Sequence, residues 1–195
     1  MDKQTNISSL VSNFVFGVLE GSGEDVSREG LIETPGRVYR MYQKLLSGYS
    51  QDPSSIFKTF SSNGYKGLIT VSNINFYSLC EHHMIPFYGK VHVGYLPNGK
   101  ILGLSKFARL VDIFSKRVQT QENLTCQVAD AIEKYLKPRG FIIRIEAEHL
   151  CMAMRGVKKN GCITNTMEIR GVIKNKPSLI NQFNGEIRLN KSNIN

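Results

Sequence analysis

The sequence predicts an α+β fold: a four-stranded antiparallel sheet with two helices on one face, preceded by N-terminal helices. Three observations carry this. Apolar residues recur at helical spacing over 5–47 and again over 105–136, and as short apolar or alternating runs over 67–79, 90–96, 141–151 and 162–173. The resulting order is helices, strand, strand, helix, helix, strand, strand, so each strand pair can close as a hairpin. Finally, 195 residues at 41% hydrophobic suffice for one core, and no apolar run reaches the ~20 residues of a membrane span. A small sheet leaves two edges open, which favours self-association.

The elements follow in order. Ile7, Leu10, Val11, Phe14, Val15, Val18 and Leu19 set a first helix over 5–20, ended by Gly21-Ser22-Gly23. Ser27 is placed to open a second helix over 27–47, with Pro35 where a new helical turn can begin and Gly48 past its end. Residues 50–67 are polar, carry Pro53 and Gly64, and read as a loop with a short helical piece. Leu68, Ile69, Val71, Ile74, Phe76 and Tyr77 make a strand that delivers Cys80-Glu81-His82-His83 to its end. Pro86 and Gly89 turn the chain into a second strand, Lys90 to Leu96, closed by a tight turn at Pro97-Asn98-Gly99-Lys100.

Ser105 is a candidate N-cap for a helix over Lys106–Lys116 that buries Phe107, Leu110, Val111 and Phe114. The next helix, Gln121 to Leu136, has Leu124, Val128, Ile132 and Leu136 on its apolar stripe and breaks at Pro138-Arg139-Gly140. Phe141 to Cys151 reads as the third strand; the fourth, over 162–173, places Thr164, Thr166, Glu168 and Arg170 at alternate positions. From Asn175 the chain is rich in Asn and Lys, with a short helix expected at 178–184 and fraying at the end.

The net charge of +9 is uneven: 17 of the 25 Lys/Arg but only 8 of the 16 Asp/Glu fall in 100–195. Such a half suits an anionic partner or is a solvated surface. No compact Lys/Arg run with interleaved aromatics occurs, so nucleic acid is not expected. Met1–Leu10 has no apolar segment of the signal-peptide kind, so the four cysteines are expected as cytoplasmic thiols, where metal binding is commoner than disulfides.

The densest chemistry lies in two pieces. Cys80 and His83 are three residues apart, and His149-Leu150-Cys151 comes far downstream. On a strand, His149 and Cys151 share a face. Cys80, His83 and Cys151 then make a Cys2His set whose two thiolates neutralise Zn2+. Three protein ligands leave a fourth position open, the pattern of catalytic rather than structural zinc. The competing reading is a pair of buried thiols and a hydrogen-bonded core histidine. His82 and His149 stand beside the set, and histidine is the residue type that acid–base chemistry near neutral pH uses. His92, in an alternating strand, reads as structural. Lys106 and Arg109 lie on the first turns of a helix, where free amides favour phosphate. Glu122 complements the dipole at its own helix start. Arg37 and Arg40, on one helical face, are either surface charges or anion ligands.

Glu33-Thr34-Pro35-Gly36-Arg37-Val38, Cys80-Glu81-His82-His83, Gly103-Leu104-Ser105-Lys106, Gln121-Glu122, and His149-x-Cys151 with Arg155-Gly156 occur in the order found in GTP cyclohydrolase I, and the chain resembles that family over about residues 8–173. The resemblance implies the tunnelling fold (T-fold), with subunits joined edge to edge into rings and two pentamers stacked as a homodecamer. It implies conversion of GTP and water to formate and 7,8-dihydroneopterin triphosphate, the first step of pterin and tetrahydrofolate synthesis. It implies zinc on Cys80, His83 and Cys151; His82, His149 and Ser105 as catalytic groups; and Glu122, Gln121, Lys106, Arg109, Arg155 and Arg37 as substrate ligands, from more than one chain. It divides the sequence into a helical arm (1–66), a catalytic T-fold domain (67–175) and a tail (176–195). Two departures stand out. Asn160-Gly161-Cys162 interrupts a usually Ser/Thr-rich stretch, and the tail lacks the family's usual ending.

Overall fold

The computed structural model describes residues 3–192, which fall into two units, one ending at Leu46 and one beginning at Ser47. In the first, α1 (Lys3–Gly21) is the expected first helix. The single helix expected over 27–47 is two, α2 (Glu29–Ile32) and α3 (Thr34–Leu45), and α1 packs against α3. Pro35 explains the break: it has no N–H, and its ring crowds the carbonyl four residues back. A helix therefore starts there but does not run through. Ser27 does not cap. Its N–H and hydroxyl both donate to Asp25 Oδ1, at 2.9 and 2.6 Å, a local turn that competes with the helix.

The second unit runs β1 (Thr59–Ser61), β2 (Ile69–Cys80), β3 (Pro86–Leu96), β4 (Lys100–Leu102), α4 (Leu104–Ser115), β5 (Val118–Gln119), α5 (Gln121–Ala131), β6 (Gly140–His149), α6 (Leu150–Ala153), β7 (Ile163–Gly171) and α7 (Pro177–Ser192). The four expected strands are β2, β3, β6 and β7, all antiparallel neighbours. A fifth is added, because the two residues of β5 lie parallel to the end of β2, giving the order β5-β2-β3-β6-β7. Two residues are too few to carry a period. The same holds for β1, inside the expected loop, which pairs with β4 in a separate ribbon.

Two helices, α4 and α5, cover one face as expected. Phe107, Leu110, Leu124 and Val128 bury against Phe87, Val93, Ile143 and Ile145. Beyond Ala131, a π-helical turn, Ile132–Leu136, continues α5 until Lys137 enters the left-handed region (φ 51) ahead of Pro138. The N-cap of α4 is Gly103 rather than Ser105, and Ser105 sits inside the first turn.

The other face is also covered, by a helix far longer than the one expected at 178–184. Leu179, Ile180, Phe183 and Ile187 keep helical spacing through the polar tail, and Phe183 and Ile187 bury against Leu68, Leu96, Ile142 and Ile173. Each such side chain contributes about 1.5–3 kcal/mol. Gly94 makes the room: a Cβ there would lie 2.7 Å from the Phe183 ring. The fraying expected at the extreme end lies outside the described residues. His92 is fully buried on this face, and its Nδ1 accepts from the Asn73 N–H at 3.3 Å where β2 bulges. Among the described residues no helix is long and apolar enough to cross a membrane.

Register fixes two ends for the sheet. Leu79 faces Pro86 and Phe87 faces His149 at one; Ile69 faces Tyr95 and Leu96 faces Gly140 at the other.

Candidate metal centre and active site

At the first end, β2 stops with Cys80, 7% exposed. Its N–H donates to the Ile85 carbonyl (3.0 Å) and its carbonyl accepts from Met84 N–H (2.8 Å), a tight turn with Met84 in the left-handed region. Cys151 reaches the same point differently from the expectation. The strand ends at His149, and Cys151 lies in the helical turn α6, so coiling rather than alternation places its sulfur. The ligand atoms of Cys80, His83 and Cys151 all lie within 4.8 Å of one another. Burial, then the nearby Cys80, pushes the Cys151 thiol up. A cation between two such sulfurs relieves that penalty, and two sulfurs with one imidazole suit Zn2+. His82 Nδ1 is 3.5 Å from Cys80 Sγ, and its ring is 66% exposed.

His149 ends β6, two residues before Cys151. Its ring stacks on Phe87, centroids 4.7 Å apart with the two planes parallel to within 1°, and Nε2 is 3.0 Å from Gln121 Oε1. Burial pulls its pKa down, and the charge of Glu122 partly opposes this. Glu122 is exposed in the first turn of α5, whose N-cap Thr120 accepts from Asn123 N–H at 3.1 Å. Gln121 is 1% exposed. The neighbouring Glu148 takes Tyr88 O–H (3.0 Å) and Gly161 N–H (3.1 Å), tying down the far end of the loop that carries Arg155. Arg155 is exposed and its charge reaches Cys151, favouring the thiolate.

The remaining expected residues are elsewhere. Ser105, Lys106 and Arg109 lie in the first turns of α4, beside Phe107, whose ring is 5.5 Å from Tyr95 at the opposite end of the sheet. From its last turn α4 leads into β5, alongside Leu79 and Cys80. Ser105 is thus roughly 15 Å back along the helix from that end, at ~1.5 Å per residue. Arg37 is on α3, in the other unit, where its guanidinium pairs with Glu33 at 2.9 Å; Arg40 is on the same helix.

Sequence reasoning passed over Phe87, Tyr88 and Glu148, and did not connect Thr125 and Thr166 to Gln121. The alternating Thr164 and Thr166 were a signal, since polar side chains facing a helix need partners. Phe87 and Tyr88 gave none, because they fell in an expected turn.

A family profile described as GTP cyclohydrolase I matches residues 11–188. The GTP cyclohydrolase 1 of Clostridium kluyveri is 48% identical over 172 residues, 88% of this chain and 93% of that one. The GTP cyclohydrolase 1 of Brucella suis is 52% identical over 157 residues, 80% of this chain and 74% of that one.

Proposed function

Because the chain belongs to the GTP cyclohydrolase I family, hydrolases whose substrate is GTP, we propose that it carries out the zinc-dependent form of that reaction, with the roles given below. GTP and one water give formate, which carries off C8 of the guanine, and 7,8-dihydroneopterin triphosphate. The observation that carries the reading is the convergence of Cys80, His83 and Cys151 beside His82 and His149.

Cys80, His83 and Cys151 hold the zinc. The ion supplies Lewis acidity and brings the pKa of water toward neutrality. Glu122 accepts from the guanine N1–H and exocyclic amine, a charge-assisted pair of bonds that fixes the base. His82 protonates the purine nitrogen as the ring opens, and its exposure leaves it free to reach substrate. His149, held on Phe87, serves the ribose ring oxygen. Ser105 assists the later rearrangement of the sugar. Lys106, Arg109 and Arg155 bind the triphosphate, in keeping with the basic second half, and Arg37 of the helical arm joins them. Lys106 and Arg109 come to each centre from a second copy, and the homodecamer of two stacked pentamers supplies that contact. A cytoplasmic setting, where the thiols stay reduced, and a product that feeds pterin and tetrahydrofolate synthesis belong to the same proposal.

The test is formate release and pterin fluorescence on purified protein of known zinc content. Turnover that a chelator abolishes and zinc restores supports the reading. A zinc-loaded, assembled protein inert toward GTP sinks it.

A further inference from the structure

We infer that Gln121 is a positioning residue that sets the tautomer of His149, with the hydrogen on Nε2 and a lone pair on Nδ1, and that its side chain does not bind substrate. The inference rests on the reading of His149 as an acid–base group.

The argument is one of hydrogen-bond direction. Gln121 Nε2 lies 3.0 Å from the Ile145 carbonyl, 3.1 Å from the Thr164 carbonyl and 3.1 Å from Thr166 Oγ1. Main-chain carbonyls only accept, so the amide cannot turn its oxygen toward them without placing acceptor against acceptor. The hydroxyls agree with this orientation. Thr125 donates to the main-chain carbonyl of Gln121 at 2.8 Å, so its oxygen is left to accept from Thr166 at 2.7 Å, and Thr166 in turn accepts from the side-chain amide. The network closes with one sense only. Gln121 Oε1 must then face His149 Nε2, 3.0 Å away. An amide oxygen only accepts, so Nε2 carries the hydrogen.

The ring has no other freedom to use. Phe87 fixes its plane, and the Gln121 oxygen fixes its rotation within that plane. Gln121 is 1% exposed, its amide hydrogens are turned toward the Ile145 and Thr164 carbonyls and its oxygen toward His149, so the side chain presents almost no surface to a nucleotide. Its sequence neighbour Glu122, exposed one position on, remains the residue placed to meet the base.

Two measurements on the zinc-loaded protein decide it. Nitrogen-15 NMR of histidine-labelled enzyme above neutral pH, with the His149 signal identified by its loss in His149→Ala, should give the Nε2–H pattern; an Nδ1–H pattern overturns the inference. Gln121→Met keeps the length and removes the polar atoms. It should lower kcat roughly 100-fold, as for a misoriented catalytic group, with KM for GTP changed by less than about threefold. A raised KM at unchanged kcat would make Gln121 a substrate ligand after all. If instead His149→Ala turns over GTP at the wild-type rate, the acid–base reading fails, and the NMR still answers the tautomer question.

Discussion

The two ends of the five-stranded sheet have different kinds of chemistry. At the end where β2 and β6 stop, sulfur, imidazole and carboxylate converge within one chain: Cys80, His83, Cys151, His82, His149 and Glu122. At the end marked by Tyr95 and Leu96, the start of α4 presents a hydroxyl and two cations, Ser105, Lys106 and Arg109, on a helix that carries no cysteine or histidine. On the proposed reading, a reactive centre with Arg155 as its one nearby cation and a pair of phosphate-binding cations at the start of a twelve-residue helix are two halves of one function. The edge strands β5 and β7 leave the sheet open to further copies, which can bring unlike ends together.

The largest effect should come from breaking the reactive end. Cys151→Ala removes a thiolate from the set and should cost the protein its zinc and more than roughly 100-fold in turnover. Metal analysis beside formate release checks it; full zinc with lost activity would point to a different ligand set. Next comes the relation between the ends. His149→Ala and a Lys106→Ala/Arg109→Ala chain should each be nearly inactive, yet mixing them by reversible dissociation should restore about a quarter of wild-type activity, since random pairing leaves that share of interfaces with both halves intact. No recovery in proven mixed oligomers would mean that each site is built from a single chain.

Legibility follows the same division. The reactive end was readable because a Cys-x-x-His pair and a distant His-x-Cys supply matching ligand types, even though Cys151 arrives on a helical turn rather than a strand. The strands and the α4–α5 face were readable from period alone. What escaped was carried by geometry without a period: two residues of β5, three of β1, and the cap of α4, where Gly103 takes the position that Ser105 fits by type. The tail escaped because Asn and Lys outnumber the four apolar residues that hold it. That Lys106 and Arg109 lie far from the thiols was not legible at all, since sequence order says nothing of which end of a sheet a helix starts from.

The far end should be the more fragile in folding. Phe183 fills the notch over Gly94 and packs with Leu96 and Ile142, so Phe183→Ala should cost about 3–5 kcal/mol, read as a lower midpoint in denaturant. Zinc content of the native protein should stay unchanged, because the cavity opens on the face opposite α4 and α5. Loss of zinc in parallel would show that the two ends are coupled through the sheet.

The smallest expected effect sharpens the comparison within the reactive end itself. Arg155 is the one cation among the expected triphosphate ligands whose charge reaches Cys151, and it rides on an exposed loop with Gly156, Lys158 and Gly161 all at positive φ. Such a loop stays in place only if its ends are tied. One tie is Lys159 N–H to the Met152 carbonyl at 3.0 Å; the other is Gly161 N–H to Glu148, whose second oxygen is held by Tyr88. Glu148→Ala removes the second tie and leaves the zinc ligands alone. Losing a charge-assisted bond of about 1.5–3 kcal/mol on an exposed loop should raise KM for GTP up to about tenfold with kcat little changed. Glu148→Gln keeps an acceptor for Gly161 and should recover most of the difference. Equal losses in both variants would mean that the carboxylate charge, not the tie, matters at this end.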